Sequence, residues 1–201
     1  MQIEFPTTLY AGYIFDCDGT LVDSMPTHYK AWKIALERLG FRGNFTEDFF
    51  YGLGGAKTTH VVEMLNEQSG SSLNPDEFAD EKEAVYLDII SEIRPIEAVI
   101  RYVRKVAEVR PISVASGGLR HVVDKALVSA GIAELFKIIV TPEDVAQGKP
   151  APDMFLLAAE KMKVAPDGCL VVEDAELGRQ AAEGATMDCR MIQTRRGESH
   201  F

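Results

Sequence analysis

The sequence predicts an α/β fold: a doubly wound, Rossmann-like parallel sheet with a helical subdomain inserted after its first strand. Short apolar runs alternate with amphipathic segments after residue 95. This alternation is typical of a parallel sheet with helices on both faces. Between residues 27 and 93 no strand pattern interrupts, and three segments show helical apolar spacing. Polar or glycine residues close the apolar runs, as expected where strands reach the edge of a sheet.

The predicted elements of the sheet domain follow in order along the chain. Apolar runs bounded by turn residues predict strands at residues 13–15, 112–115, 138–141, 170–172 and around 189–193. Apolar residues at three- and four-residue spacings predict helices at residues 96–106, 122–130, 154–162 and 177–183.

The predicted insertion is a helical cap of three segments, around residues 31–39, 61–65 and 78–90. Linkers are expected near residues 24–26 and 92–96. We therefore predict a core domain of residues 1–24 and 95–201 and a helical domain of residues 25–94.

Composition narrows the classes of partner. The 201 residues are 46% hydrophobic and 26% charged, with a net charge of −10. This charge disfavours nucleic acid and anionic membranes, which are bound through Lys and Arg. No apolar stretch is long enough to span a membrane and no secretory signal is visible. Cys17, Cys169 and Cys189 form no metal-binding spacing and no even disulfide framework, so we expect reduced thiols and a cytoplasmic location. We also expect a monomer.

The most informative motif is Asp16-Cys17-Asp18-Gly19-Thr20, at the end of the first predicted strand. Ligands of open α/β sheets bind at that edge. Two carboxylates this close repel each other unless a cation joins them, and Mg2+ prefers oxygen ligands. With the metal bound, Asp16 can act as a nucleophile while Asp18 exchanges protons.

Two other interpretations of this motif are simpler. An isolated Asp-x-Asp-Gly is more often a turn than an active site. An EF-hand loop needs glycine at its sixth position and an acid at its twelfth. Here the glycine is fourth and Thr27 is twelfth, after a segment that is typical of a strand. Calcium binding of that kind is therefore disfavoured.

Three further motifs follow predicted strands. Ser116 and Gly117 offer a hydroxyl and backbone amides that suit a phosphate oxygen. Lys149 lies beside two prolines, in a stiff loop that would hold its ammonium near a carboxylate and a phosphate. Glu173 and Asp174 would complete an oxygen cage for Mg2+. Each motif alone is weak evidence. Ser-Gly-Gly is more typical of a turn, and acids are common at a helix start. An isolated lysine is ordinarily solvated, although the two prolines favour a function for Lys149. Their common place at strand ends gives the set its weight.

This set resembles the motifs of the haloacid dehalogenase superfamily, over nearly the whole chain. The insertion is similar to the cap of its β-phosphoglucomutase-like group, and the segment through residues 27–32 resembles sugar-phosphate phosphatases of the fructose-1-phosphate type. The resemblance implies a Mg2+-dependent phosphatase that forms an aspartyl-phosphate and takes a small phosphate ester. Because Asp18 can protonate a leaving alcohol, its presence favours phosphate chemistry over carbon–halogen cleavage.

The resemblance also implies residue roles. Asp16 would be the nucleophile and Asp18 the acid and base, with Ser116 and Lys149 holding phosphoryl oxygens. Mg2+ would be ligated by Asp16, Asp174 and the Asp18 carbonyl, with Glu173 in or next to the ligand set.

In the cap, His28, Lys57 and Lys82 fall near positions that contact substrate in the β-phosphoglucomutase-like group. For both lysines a solvated surface position is an equal alternative. A phosphomutase is the alternative reaction, and Gly118-Leu119-Arg120 lacks the polar substrate contacts of the mutase, which favours hydrolysis. A binding protein that kept the fold is a third possibility, and the intact motif set argues against it.

Overall fold

A parallel sheet of five strands is the centre of the fold. The computed structural model describes residues 4–53 and 56–192. Its strands are β1 (Gly12–Phe15), β2 (Val22–Asp23), β3 (Arg94–Pro95), β4 (Ile112–Ala115), β5 (Ile139–Val140), β6 (Cys169–Glu173) and β7 (Asp188–Met191). Five of them form the sheet in the order β5-β4-β1-β6-β7, and every pairing in it is parallel. The predicted α/β class is confirmed.

Burial explains why the first strand is apolar along its whole length. All four residues of β1 are buried, because this strand is central and both faces of the sheet are covered. The edge strand β7 instead alternates between exposed and partly buried residues, starting with the exposed Asp188. The fifth predicted strand is thus present but begins one residue earlier, and residue 193 lies outside the described residues.

The described helices are α1 (Met25–Arg38), α2 (Glu47–Gly52), α3 (Thr58–Ser69), α4 (Pro75–Ile89), α5 (Glu97–Ala107), α6 (Arg120–Ser129), α7 (Asp153–Met162) and α8 (Glu176–Gly184). The apolar side of α7 packs on the sheet, where Met154 and Phe155 join Ile14 and Val171 in one buried cluster. None of the helices described combines the length and apolarity that a membrane span requires.

The described residues form two compact units. The first comprises residues 4–23 and 93–192, and the second comprises residues 24–53 and 56–92. The second unit contains α1 to α4 around its own apolar cluster, which includes Trp32, Phe50 and Phe78. The roles of these units as core and cap, with the boundaries given above, stay predictions.

Capping side chains mark the starts of two helices in the second unit. Asn74 starts α4, since its side chain accepts hydrogen bonds from the backbone amides of Asp76 and Glu77, and Pro75 follows it. Thr46 caps α2 in the same way, through the amide of Phe49. This six-residue helix is absent from the sequence predictions, because it is too short to show a helical period.

The predicted linkers are more regular than expected. Strands β2 and β3 pair as an antiparallel ladder, with Val22 opposite Pro95. Helix α1 begins at Met25, inside the predicted first linker. Two-residue strands are too short to show an alternating pattern, so the sequence predicted no strand at either place.

Candidate active site

Three neighbouring strands end side by side and bring predicted site residues to one edge of the sheet. Asp16 follows β1, Ser116 follows β4, and Glu173 is the last residue of β6. The register pairs Phe15 with Val172, so β1 and β6 end at the same level. The amide of Asp16 donates a hydrogen bond to the Val172 carbonyl at 3.0 Å. This carboxyl edge is where open α/β sheets bind ligands.

A buried lysine bridges two of these acids. Lys149 Nζ donates to Asp16 Oδ1 at 2.7 Å and to Glu173 Oε1 at 2.5 Å. The side chains of Lys149, Asp16 and Glu173 are 10%, 9% and 1% exposed. Burial opposes the charge of Lys149, but the charges of Asp16 and Glu173 outweigh it and raise the pKa of Lys149 above its usual value. Lys149 is therefore a fixed cation beside Asp16 at neutral pH.

The second oxygen of Glu173 is engaged as well. Glu173 Oε2 accepts hydrogen bonds from the backbone amides of Asp174 and Ala175, each at 2.8 Å. Both oxygens of this carboxylate thus have partners inside the protein, which holds the side chain in one orientation.

Asp16, Glu173 and Asp174 form an acidic cluster. Each offers a carboxylate oxygen, and the three oxygens lie within 4.8 Å of one another. Burial raises the pKa of Asp16 well above its ordinary value. Burial, followed by the nearby charge of Glu173, raises the pKa of Asp174 to about 7. Three acids crowded in a buried site suit a hard divalent cation, which would favour their charged forms.

The cluster fits Mg2+ best through two of its members. All three acids offer a carboxylate oxygen, but Glu173 accepts hydrogen bonds at both of its oxygens, whereas Lys149 bonds to Asp16 through Oδ1. A position next to the ligands therefore suits Glu173 better than direct ligation.

The loop after β1 is tightly wound. The Cys17 carbonyl accepts hydrogen bonds from the amides of Thr20, Leu21 and Val22 at 3.3, 2.9 and 3.0 Å. Gly19 has a φ of +80°, and a Cβ there would lie 2.8 Å from Asp174 Cγ and closer still to its Oδ2. Glycine is thus required both by the backbone and by the approach of Asp174.

Ser116 and Asp18 border the same small volume. A Cβ built at Gly118 would lie 3.5 Å from Ser116 Oγ and 3.7 Å from Asp18 Oδ2. The Gly118 amide donates to Ser116 Oγ at 3.2 Å, which fixes the hydroxyl. Gly117, which lies between Ser116 and Gly118 in the chain, is exposed. The structure therefore gathers all the predicted core residues, including Asp18 and Ser116, at the ends of β1, β4 and β6.

The three predicted cap residues lie in the second unit. The His28 imidazole stacks on the Tyr86 ring, with centroids 3.9 Å apart and planes 7° from parallel. Lys82 Nζ lies 5.7 Å from the centroid of the same ring. Lys57 is exposed at the start of α3. Sequence reasoning missed Tyr86, although its four-residue spacing from Lys82 places both on one side of α4.

Comparison with known proteins agrees with this geometry. Residues 13–192 match the family model described as haloacid dehalogenase-like hydrolase. The chain is 36% identical to fructose-1-phosphate phosphatase YqaB of Escherichia coli over 89% of this chain and 94% of that protein. It is 29% identical to β-phosphoglucomutase of Bacillus subtilis, over 87% of this chain and 79% of that protein.

A solved structure supports the fold. The crystal structure of CbbY from Rhodobacter sphaeroides in complex with phosphate superposes with a TM-score of 0.82, covering 96% of this chain and 90% of that one. Its sequence identity is 20%, so this likeness bears on the fold alone. The predicted resemblance and the prediction of a hydrolytic enzyme are confirmed by the family match. The chain belongs to the haloacid dehalogenase-like hydrolase family.

Proposed function

We propose that this protein is a Mg2+-dependent phosphatase that hydrolyses a small sugar phosphate through an aspartyl-phosphate intermediate. The observation that carries the proposal is the buried Asp16 at a strand end, with Lys149 Nζ 2.7 Å from its carboxylate and a second acid pair beside it. The similarity to a fructose-1-phosphate phosphatase supports the substrate class.

Asp16 is the nucleophile in this proposal. One oxygen of Asp16 attacks phosphorus, and the bond from phosphorus to the ester oxygen breaks as Asp18 donates its proton to the leaving alcohol. Asp18 then removes a proton from water, the water oxygen attacks phosphorus, and the bond to Asp16 breaks to release phosphate. Asp18 Oδ2 and Ser116 Oγ each lie within 4 Å of the position that a Cβ of Gly118 would take, which supports one shared phosphoryl site.

Charge neutralisation is the main task of the surrounding residues, because phosphoryl transfer depends chiefly on positioning and electrostatics. Lys149 offsets the charge of Asp16 and of an incoming phosphoryl group. Ser116 Oγ and the amide of Gly117 donate to phosphoryl oxygens. Mg2+, when bound, would supply further charge stabilisation and a fixed orientation for the phosphate.

The metal ligands we propose are Asp16, Asp174 and the backbone carbonyl of Asp18, with Glu173 adjacent to them. Glu173 would serve by holding Lys149, through the contact at 2.5 Å.

The second unit is proposed to be a cap domain, formed by residues 25–94, that contributes contacts to the substrate. The stacking of His28 on Tyr86 supports a fixed orientation of its imidazole. Lys57 and Lys82 are proposed as further contacts to the substrate. The cytoplasmic location and the monomeric state stay predictions.

A phosphomutase is the second candidate, and the similarity to a β-phosphoglucomutase favours it. One contact weighs against it. The guanidinium of Arg120, in the segment after Ser116, pairs with Asp144 at 2.5 Å. The Arg120 amide also donates to Glu143 at 2.5 Å. Because Arg120 is engaged with its own domain, it is a poor anchor for a second phosphate.

The deciding experiment uses purified protein with Mg2+ and a panel of phosphorylated sugars and sugar alcohols, with release of inorganic phosphate as the readout. We expect turnover of a small sugar phosphate, and no turnover by the Asp16→Asn variant. Glucose 1-phosphate with a trace of the 1,6-bisphosphate separates the two candidates. Formation of glucose 6-phosphate without free phosphate would refute the phosphatase and support the mutase.

A further inference from the structure

Gly178 contacts the carboxylate that holds Lys149. It is the third residue of α8 and is buried. A Cβ on Gly178 would lie 2.6 Å from Glu173 Cγ and closer still to Cδ and Oε1. Real Cβ atoms do not approach other heavy atoms this closely, so an alanine here would displace the Glu173 carboxylate.

The backbone does not require glycine at this position. The described glycines with positive φ are Gly19, Gly40, Gly70 and Gly131, and Gly178 is not among them. Inside a helix, glycine is less favourable than alanine. A glycine that costs helix stability without a special backbone angle indicates a steric requirement. The three heavy atoms nearest to a Cβ at this position all belong to the Glu173 side chain.

We propose that Gly178 is a positioning residue for catalysis, a step that rests on the function proposed above. Its missing side chain leaves the space in which Glu173 Oε1 meets Lys149 Nζ, and Lys149 in turn meets Asp16. Gly178 thereby sets the place of the catalytic cation without contacting substrate.

The Glu173 side chain cannot shift away from Gly178 and keep its hydrogen bonds to Lys149 and to the backbone amides of Asp174 and Ala175. Its side chain is 1% exposed, and Oε2 is held by two backbone amides at 2.8 Å. Rotation that clears a methyl group at Gly178 moves Oε1, the atom bonded to Lys149. A buried lysine that loses one of its two carboxylate partners then shifts relative to Asp16.

The first test compares Gly178→Ala with Gly184→Ala, the same change at the last residue of the same helix. A Cβ at Gly184 would meet Pro152 at 3.5 Å, an ordinary contact. Assayed on p-nitrophenyl phosphate with Mg2+, Gly178→Ala should lower kcat by about 10²-fold, the effect of a displacement of about 1 Å at a catalytic group. KM should change less, and Gly184→Ala should match the wild type. Equal kcat values for the two variants would overturn the proposal.

A double-mutant cycle with Glu173→Ala shows whether the collision is with this carboxylate. Once the Glu173 side chain is shortened, Gly178→Ala should cost no further kcat and should raise Tm, because alanine favours the helix. An alanine at 178 that lowers kcat equally in both backgrounds would contradict the proposal. If the single variant does not fold, the double variant should fold, and its failure to do so would also count against the idea.

The Tm part of the cycle, run in EDTA, needs no activity. If the wild type hydrolyses no phosphate ester, the proposed function fails, and the catalytic role of Gly178 fails with it. Additive Tm changes at positions 173 and 178 would by themselves refute the steric contact. The two failures are therefore distinguishable.

Discussion

Replacing Lys149 by Met removes the cation at the centre of the site while keeping a chain of similar length. Lys149 Nζ contacts Asp16 Oδ1 at 2.7 Å and Glu173 Oε1 at 2.5 Å, so the change leaves two buried carboxylates without their cation. Removing one partner of a buried ion pair typically costs about 3–5 kcal/mol of unfolding free energy. Because Glu173 keeps two amide hydrogen bonds, we expect the lower end, about 3 kcal/mol at pH 8.

The loss of unfolding free energy in the Lys149→Met variant should be larger at high pH than at low pH. Lys149 lowers the pKa of Asp16 against the larger effect of burial, so the variant raises this pKa further. An acid whose pKa is raised on folding destabilises the folded state in its charged form. That destabilisation is absent below the unfolded pKa, about 4 for an aspartate, and grows as pH rises. The difference in stability between wild type and variant should therefore shrink as pH falls from 8 toward 4.

Two assays check this prediction. Urea unfolding in EDTA measures the free energy without metal, and p-nitrophenyl phosphate hydrolysis with Mg2+ measures kcat, which we expect to fall by about 10²- to 10³-fold. Lys125→Met, at an exposed lysine of α6, is the matched control and should match the wild type in both assays. A Lys149→Met protein with kcat within about threefold of wild type would refute the placement of this cation in the chemistry.

Three further predictions use other parts of the molecule. Asp16→Asn should abolish turnover while circular dichroism shows an intact fold, and residual turnover above a mock purification would point to another nucleophile. Mg2+ should raise Tm more at pH 8 than at pH 5.5, because Asp174, with a pKa of about 7, must lose its proton to ligate the ion. The Asp174→Asn variant should show no rise in Tm on addition of Mg2+. An equal rise in Tm of the wild type at both pH values would contradict the role of Asp174. Phe78→Ala, at a fully buried ring of the second unit, should cost about 3–5 kcal/mol in urea unfolding, and a loss under about 1 kcal/mol would disprove its role in that core.

Local sequence patterns predicted the longer strands and helices of the fold. Central strands read as short apolar runs because helices cover both faces of the sheet, and the run at residues 13–15 is the clearest example. The short elements escaped prediction: α2 has six residues, and β2 and β3 have two each, too few to display a period.

The candidate site was accessible in part. Polar residues after apolar runs predicted that Asp16, Ser116 and Glu173 reach one sheet edge, because parallel strands share a carboxyl end. The family resemblance implied Asp174 as a ligand of Mg2+ and left Glu173 either in the ligand set or next to it. In the structure both oxygens of Glu173 accept hydrogen bonds, which favours the position next to the proposed ligands. The contact of Gly178 with Glu173 was invisible, because a helical glycine gives no signal of its neighbour.

The sequence by itself determined the longer strands and helices, in their order along the chain, and the polar residues at the strand ends, since these depend on short-range periodicity and turn chemistry. Only the tertiary structure decided which oxygen of which acid meets Lys149, a residue 133 positions from Asp16 along the chain. Such contacts depend on distances of a few tenths of an ångström between segments that only the packed sheet brings together. For that reason the meeting of Asp16, Ser116 and Glu173 at one sheet edge was predictable, whereas the contacts of Glu173 with Lys149 and with the space at Gly178 were not.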